Sequence, residues 1–189
     1  ARSIVESGLD EIIVSLDGVT PESYARYRVG GDFERVVTGI RLLGEAKRDL
    51  KADHPVIHLQ FILMKHNEGE IDEARSLART LGADRLSLKT AQVYTREEAE
   101  AFLPSDERHS RYRYDVEGLV TKAPIVTSCK HLWYSTVVNW DGSVSPCCFD
   151  KDGRHSLGHA ANGRSMSQVW EGDAYRDFRN RVLSDRASI

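Results

Sequence analysis

The cysteines are the residues of this sequence most suited to metal or redox chemistry. They are Cys129, Cys147 and Cys148. An odd number of cysteines, two of them adjacent, is a poor framework for disulfides. Clustered thiols in a reducing compartment more often bind metal or carry out redox chemistry. We therefore expect a cytoplasmic protein.

The positions of the thiols relative to a predicted β-hairpin indicate what they could bind. Cys129 lies before the hairpin and Cys147 after its Asp141-Gly142 turn. The two arms of a hairpin run side by side, so two thiolates could form half of a tetrahedral sulfur site for zinc or an iron–sulfur cluster. Because neighbours on a strand point to opposite faces, Cys148 is not expected to be a third ligand. An inert buried pair fits the same pattern, since free cysteine behaves as a small hydrophobic residue.

A second group of polar residues lies at the end of the first predicted strand and in the segment that follows it. Ser15 and Asp17 share one side of that strand and could bind hydroxyl or ammonium groups, and Arg28 could bind a carboxylate with two nitrogens. Parallel α/β proteins place ligands at the carboxyl ends of their strands. A plain turn at Asp17-Gly18 and a solvated Arg28 would explain the same residues without a ligand.

Other polar residues carry weaker signals. Residues 65–67 and 89–90 end the next two predicted strands and would reach the same rim, although solvated loop starts explain them equally well. The histidine pairs at 54/58 and 155/159 have a chelating spacing but do not lie on predicted helices, so we interpret them as surface or packing residues. No serine–histidine–acid arrangement is expected.

Composition excludes several classes of protein. The chain has 189 residues, a net charge of -3 and dispersed basic residues, so we expect no binding to nucleic acid or to an anionic membrane surface. It has no apolar run of about 18 residues that would span a bilayer. Its first residues are too polar for a secretion signal.

Hydrophobic periodicity predicts an alternation of strands and helices. The predicted strands cover residues 11–16, 56–64 and 85–90, and the predicted helices cover 33–50 and 68–81, the second stopped by Gly82. This βαβαβ pattern implies a parallel sheet with right-handed crossovers. Three such strands with helices on one side do not close a barrel. The sheet is therefore either a small three-layer domain or, as we favour, the second half of a larger barrel.

The rest of the chain gives a different pattern. Residues 92–125 lack periodicity and are interpreted as an irregular connector. Hairpin arms are predicted at 132–140 and 143–148, and a final helix at 165–183. The predicted domains are residues 1–92, a connector at 93–125, and a cysteine-bearing module at 126–189.

Taken together, three segments resemble the C-terminal part of a radical S-adenosylmethionine enzyme with a SPASM-type auxiliary cluster domain. IIVSLDGVTPESYARYRVGGDFERVVTGIRLL resembles the fourth barrel strand and its helices, and FILMKHNEGEIDEARSLARTLGADRLSLKT resembles the next two units. CKHLWYSTVVNWDGSVSPCCFDKDG with SMSQVWEGDAYRDFRNRVLSDR resembles the SPASM opening, in which twelve residues separate Cys129 from Gly142 and four separate Gly142 from Cys147.

The resemblance implies a fold and a chemistry. The fold would be the second half of a partial (β/α)6 barrel followed by a small hairpin-and-helix module. A reduced [4Fe-4S] cluster, supplied with electrons by a donor, would cleave S-adenosylmethionine to a 5′-deoxyadenosyl radical that abstracts hydrogen from a peptide or small-molecule substrate.

Site residues follow by position in the motifs. Ser15 would contact S-adenosylmethionine, Arg28 would meet its carboxylate, and Asp17 holds the acidic position of SLDG. Cys129 and Cys147 match the first two auxiliary-cluster ligands, and Cys148 is the adjacent cysteine often seen there.

Two departures from the family pattern limit what this chain could do alone. The C-x3-C-x2-C triad of the catalytic cluster is absent, as are further cysteines after the final helix. We therefore expect the chain by itself to be inactive and the intact parent to be the enzyme. The alternative is a non-catalytic metal-binding or electron-transfer module that holds zinc or a single cluster.

Overall fold

The computed structural model describes residues 1–115, 118–123, 129–160, 163 and 165–186, and the chain divides into two compact units, Ala1–Lys122 and Ala123–Ile189. The first unit contains α1 (Arg2–Val5), β1 (Glu11–Ser15), α2 (Pro21–Ala25), α3 (Phe33–Leu50), β2 (Val56–Leu63), a 3₁₀ turn (Glu68–Glu70), α4 (Ile71–Thr80), β3 (Arg85–Thr90), α5 (Arg96–Phe102), a second 3₁₀ turn (Glu107–His109), β4 (Tyr112–Asp115) and β5 (Gly118–Thr121). Among these residues and the described part of the second unit, no helix has the length and apolar character needed to cross a membrane.

The first three strands form a parallel sheet in the order β1-β2-β3, as the βαβαβ pattern predicted. Helix α3 and strand β3 have the predicted bounds, and β1 and β2 each end one residue early. Helix α3 begins where predicted because the Asp32 side chain accepts a hydrogen bond from the Arg35 amide. Gly82, at φ 74°, follows the end of α4, because glycine adopts this left-handed conformation without strain.

One face of the sheet is apolar and packs against helices. Alternate residues of each strand meet side chains of α2, α3 and α4 in a buried core comprising Leu16, Tyr24, Phe33, Val37, Ile40, Leu43, Ile57, Leu59, Ala78 and Leu81. The intervening residues point to the opposite face, which carries polar side chains such as Ser15 and His58. The sheet therefore has one apolar and one largely polar face.

The prediction that residues 92–125 form an irregular connector was wrong. It contains helix α5 and the antiparallel hairpin β4–β5. The missed signal is a capping box: the Thr95 side chain accepts a hydrogen bond from the Glu98 amide, and Glu98 accepts one from the Thr95 amide. The boundary predicted between residues 125 and 126 lies outside the described residues, and the one at residue 92 stays a prediction.

The second unit contains a small antiparallel sheet and helices. Its elements are a 3₁₀ turn (Lys130–Trp133), β6 (Val137–Val138), β7 (Ser143–Ser145), β8 (Gly158–His159), α6 (Met166–Trp170) and α7 (Asp173–Asp185). The Asp141-Gly142 turn joins β6 to β7 as predicted, with Gly142 at φ 88°. The arms of this hairpin are shorter than predicted.

The single predicted helix at 165–183 was wrong, because it is two helices. The break falls at Gly172, where a Cβ atom would lie 2.9 Å from the Gln168 carbonyl oxygen, so the close approach requires glycine. The helices and the sheet enclose a core of Leu132, Val144, Leu157, Val169, Tyr175, Phe178 and Val182.

Candidate cofactor and metal sites

Asp17 is completely buried at the carboxyl end of β1. One carboxylate oxygen accepts a hydrogen bond from the Ile62 amide at 2.7 Å. Since Ser15 pairs with Gln60 in the ladder, the Asp17 side chain continues the β1–β2 pairing beyond the last residue of the strand. The carboxylate therefore fixes the local path of the chain.

Arg28 occupies the other oxygen of this carboxylate. Its Nε and Nη2 atoms lie 2.7 and 2.6 Å from Asp17 Oδ2. The Arg28 side chain is 35% exposed and lies over the ring of Tyr27, with 5.3 Å from its Cζ atom to the ring centroid. The structure thus brings two predicted site residues together, and Asp17 orients the guanidinium.

Asn67 joins the ends of the first two strands and was a weak signal in the sequence. It is fully buried, and its amide nitrogen donates to the carbonyl oxygens of Asp17 and Ile62, each at 3.0 Å. Its side-chain oxygen accepts from the Met64 amide at 2.7 Å. The convergence of the two strand ends on one rim is therefore a feature of the fold.

Ser15 is the predicted site residue with the freest polar group. It is partly buried, and its hydroxyl has no hydrogen bond to any side chain or backbone group among the residues described. Its position on the polar face, two residues before Asp17, leaves the hydroxyl available to a ligand at the rim. Its role as a ligand-binding residue stays a prediction.

The polar face also holds a serine–histidine–carboxylate arrangement that the sequence analysis did not expect. His58 Nδ1 lies 2.9 Å from a Glu11 carboxylate oxygen, and His58 Nε2 lies 2.8 Å from the Ser87 hydroxyl. The three residues come from three neighbouring strands, so only the pairing of the strands reveals them. His58 is thus a packing residue, as expected, and it also hydrogen-bonds to Glu11 and Ser87.

The cysteines of the second unit lie in turns. Cys129 precedes the 3₁₀ turn, is partly buried, and packs against the core of this unit. Cys147 is partly buried and Cys148 exposed, and both lie in a turn after β7. The argument from opposite strand faces therefore does not apply to them, but their exposures still distinguish Cys147 from Cys148. All three thiols are free.

Tyr175 connects the core of the second unit to the segment that bears Cys147. Its ring is completely buried, and its hydroxyl donates to Thr136 Oγ1, which donates in turn to the Ser145 carbonyl oxygen at 2.9 Å. Burial raises the pKa of Tyr175 above its usual value, and the hydrogen bond to Thr136 and the charge of Arg179 oppose this. The two hydrogen bonds connect the buried phenol to Ser145, two residues before Cys147 in the chain.

Arg179 of helix α7 lies against the same phenol and was missed in the sequence analysis. Its Nε donates to the Leu132 carbonyl oxygen and its Nη1 to that of Trp170, each at 3.0 Å. The side chain is only 8% exposed, and Nη2 is buried with no hydrogen-bond partner among the described residues. A signal was available, since Tyr175, Phe178 and Val182 put this arginine on the apolar face of the helix.

These observations test whether the chain suits an iron–sulfur cluster. A cubane cluster takes a thiolate on each iron, whereas the described residues contain no group of three or more potential metal ligands. Cys129 and Cys147 fit as two ligands of a larger set, because both are free and partly buried, and Cys129 packs against the core of this unit. The orphan N–H of Arg179 also fits a negatively charged group nearby.

Comparison with known proteins matches one family model to part of the second unit and matches curated relatives to most of the chain. Residues 129–188 match the model of the SPASM iron–sulfur cluster-binding domain. The first unit is covered by relatives whose names give an activity, described next.

Three curated relatives are probable GTP 3',8-cyclases, which are radical S-adenosylmethionine enzymes. That of Methanosarcina mazei is 29% identical over 89% of this chain and 56% of its own length. That of Methanocaldococcus jannaschii is 24% identical over 80% of this chain and 55% of its own length. That of Methanococcus aeolicus is 27% identical over 63% of this chain and 33% of its own length. The chain thus spans between a third and just over half of the length of these relatives.

A solved structure, selenomethionine BtrN in an open conformation, aligns with 93% of this chain and 86% of its own at 13% identity. Its TM-score of 0.28 is too low to support any argument about the fold. The family model thus shows a SPASM-type iron–sulfur cluster-binding domain at residues 129–188, in a chain that is similar over most of its length to radical S-adenosylmethionine enzymes.

Proposed function

We propose that the chain forms the second half of a partial (β/α)6 barrel and the beginning of an auxiliary-cluster domain in a radical S-adenosylmethionine oxidoreductase or maturase. The observation that carries this proposal is the combination, in one chain, of a parallel sheet with one polar face and a SPASM segment that contains two free, partly buried cysteines. In a barrel of this type the helices cover one face of the parallel sheet, and the other face, here the polar one, would line the interior.

Residues at the rim of the sheet would each make a different contact with S-adenosylmethionine or support one. The Ser15 hydroxyl is available to hydrogen-bond the ligand. The Nη1 side of Arg28 faces no acceptor among the described residues and could meet the ligand's carboxylate, while Asp17 holds the arginine by its Nε and Nη2 atoms. When bound and reductively cleaved, S-adenosylmethionine supplies the radical that abstracts hydrogen from substrate.

The second unit supplies thiolates to an auxiliary [4Fe-4S] cluster. Cys129 and Cys147 are the ligands from this chain, and exposed Cys148 is not one. We further propose a cytoplasmic enzyme with a reductive electron donor and no nucleic-acid or membrane partner. The substrate is a peptide or a small molecule, and the names of the curated relatives make GTP the first small molecule to test.

The alternative, a non-catalytic zinc or electron-transfer module, is not favoured. The relatives that cover most of the chain are named as enzymes, and their similarity extends over the sheet as well as the cysteine segment. A module of that kind would not need the rim residues of the first unit. The chain alone is expected to be inactive because it contains no C-x3-C-x2-C motif.

The first experiment is anaerobic loading of the 189-residue chain with ferrous iron and sulfide, followed by measurement of bound iron and sulfide per chain. Cys129→Ser and Cys147→Ser should each lower bound iron severalfold, and the matched control Cys148→Ser should leave it unchanged. Equal iron in all four proteins would refute the assignment of the ligands.

The second experiment addresses the reaction. The full-length polypeptide in which this chain occurs, loaded with iron and sulfide and reduced, should release 5′-deoxyadenosine from S-adenosylmethionine. Ser15→Ala should weaken S-adenosylmethionine binding while leaving iron content intact. Iron-loaded protein that never cleaves S-adenosylmethionine would contradict the proposed chemistry.

A further inference from the structure

We infer that Arg179 is the positive counter-charge of the auxiliary sulfur site and donates a hydrogen bond from Nη2 to a metal-bound sulfur. This inference rests on the proposed role of Cys129 and Cys147 as ligands. It assigns Arg179 as a positioning residue that acts on the metal centre through its charge and its N–H group.

The first argument is the state of the guanidinium itself. The Arg179 side chain is 92% buried, yet no aspartate or glutamate forms an ion pair with it among the residues described. A buried charge without a counter-ion is costly, and a buried donor without an acceptor adds to that cost. Arginine cannot relieve this by losing its proton. The fold therefore leaves the Nη2 donor of a buried cation without an acceptor or a counter-charge among the residues described.

The second argument is position, because a hydrogen bond links Arg179 to the segment that bears Cys129 and a ring contact links it, through Tyr175, to the segment that bears Cys147. Its Nε donates to the Leu132 carbonyl, and the Leu132 amide donates to the Cys129 carbonyl at 3.3 Å. Its Cζ atom lies 4.5 Å from the ring centroid of Tyr175. That phenol is linked through Thr136 to the carbonyl of Ser145, two residues before Cys147.

The third argument concerns orientation. Three aromatic rings surround the guanidinium, at centroid distances of 4.3 Å for Trp170, 4.5 Å for Tyr175 and 5.1 Å for Trp133. Two carbonyl oxygens hold Nε and Nη1. The rings attract the cation but accept no conventional hydrogen bond. Every part of the guanidinium is therefore held in place except the Nη2 donor, which is left to bind a ligand.

Thiolate-bound metal suits this donor. Thiolates and iron–sulfur clusters carry negative charge, and hydrogen bonds to their sulfurs together with nearby charge set the reduction potential. Groups that orient or neutralise metal ligands typically change metal affinity by about 10–100-fold when mutated. Removing the charge of Arg179 should therefore weaken metal binding and disfavour the reduced, more negative cluster.

The test is a Co²⁺ titration of the full 189-residue chain under anaerobic conditions, read by thiolate-to-cobalt absorption. Arg179→Gln should lower the affinity about tenfold or more. The matched control is Arg181→Gln, which removes the same charge from an exposed position on the same helix. Arg179→Lys keeps the charge and should retain part of the affinity.

In the iron-loaded chain, Arg179→Gln should shift the reduction equilibrium at least threefold against the reduced state, about 30 mV for one electron. Arg181→Gln should not. If Co²⁺ affinity and the reduction equilibrium of Arg179→Gln equal those of the native chain, Arg179 is only a structural arginine held by aromatic rings, and the inference fails while the ligands stand.

A measurement on the unaltered chain covers the case in which Arg179 variants do not fold. The Nε–H and Nη–H resonances of the buried arginine should be observable by NMR, and the Nη–H signals should shift when Zn²⁺ binds. Zn²⁺ binding without such a shift overturns the inference. No Co²⁺ or Zn²⁺ binding by the native chain, or binding that survives Cys129→Ser, overturns the ligand assignment itself and the inference with it.

Discussion

The ion pair between Asp17 and Arg28 should contribute measurably to the free energy of unfolding. Asp17 is 0% exposed and receives hydrogen bonds from the Ile62 amide and from two nitrogens of Arg28. Each hydrogen bond to a charged group contributes about 1.5–3 kcal/mol. Asp17→Asn keeps an oxygen for Ile62 but loses the charge, so the free energy of unfolding should fall by about 2–3 kcal/mol.

Arg28→Ala tests the other partner. Removing one member of a buried ion pair costs about 3–5 kcal/mol, because the remaining charge is left without compensation. Arg28 is 35% exposed, so water reaches Asp17 once the arginine is gone, and we expect about 2–3 kcal/mol instead. The double variant should be less destabilised than the sum of the two single variants by about 1–2 kcal/mol. Arg41→Ala, at an exposed position on α3, is the matched control and should change stability by less than about 0.5 kcal/mol.

Urea denaturation followed by far-UV circular dichroism measures these differences. Tryptophan fluorescence would not report on this region, since the tryptophans are Trp133, Trp140 and Trp170, all in the second unit. Hydrogen exchange at the Ile62 amide gives a local reading: Asp17→Ala should speed it and Asp17→Asn should largely preserve its protection. Single variants that each cost less than about 0.5 kcal/mol and add without coupling would refute the ion-pair argument.

Two further predictions concern single side chains. His66 should titrate below its ordinary pKa of 6.5, chiefly because of burial and then because of the Arg26 charge, and Arg26→Ala should raise that pKa in an NMR titration. Because the unfolded chain then binds the proton more readily, His66 lowers stability as pH falls below about 6.5, and His66→Gln should flatten that dependence in urea titrations between about pH 5 and 7. Gly158→Ala should destabilise the second unit by about 1–3 kcal/mol, because Gly158 has φ 146° and a Cβ atom there would lie 2.8 Å from Val169 Cγ1. A thermal midpoint of Gly158→Ala equal to that of the native chain would contradict this packing.

Local signals account for the elements that were predicted correctly. Helix α3 could be predicted from the Asp32 cap and its apolar spacing, despite two internal glycines. The structure explains one of these glycines, since a Cβ atom at Gly44 would lie 3.0 Å from the Leu81 carbonyl oxygen. Gly44 thus permits the close packing of α3 against the end of α4.

Partnerships between distant residues could not be predicted, because they depend on how strands pair and helices pack. Ser15, Asp17 and Arg28 were found as candidates from their place after a strand, but nothing in the sequence says that Arg28 binds Asp17. Arg179 lies 50 residues after the first thiol in the chain, and its orphan nitrogen becomes visible only once the aromatic side chains are placed around it.

The hydrogen-bonded residues Glu11, His58 and Ser87 indicate the environment of the polar face of the sheet. Its distances are those of a catalytic triad, but a nucleophile needs donors for a developing oxyanion and usually lies on an exposed turn. Ser87 lies within β3, where the backbone pairs with β2. The arrangement instead satisfies a histidine that is 7% exposed, on the face opposite the one that packs against α2, α3 and α4. Burying a polar group costs free energy unless it is hydrogen-bonded, so a face that packed against another apolar layer would be expected to carry apolar residues here. These three hydrogen-bonded residues therefore support the proposal that the second face of the sheet lines a polar interior, as it would in a barrel that encloses S-adenosylmethionine.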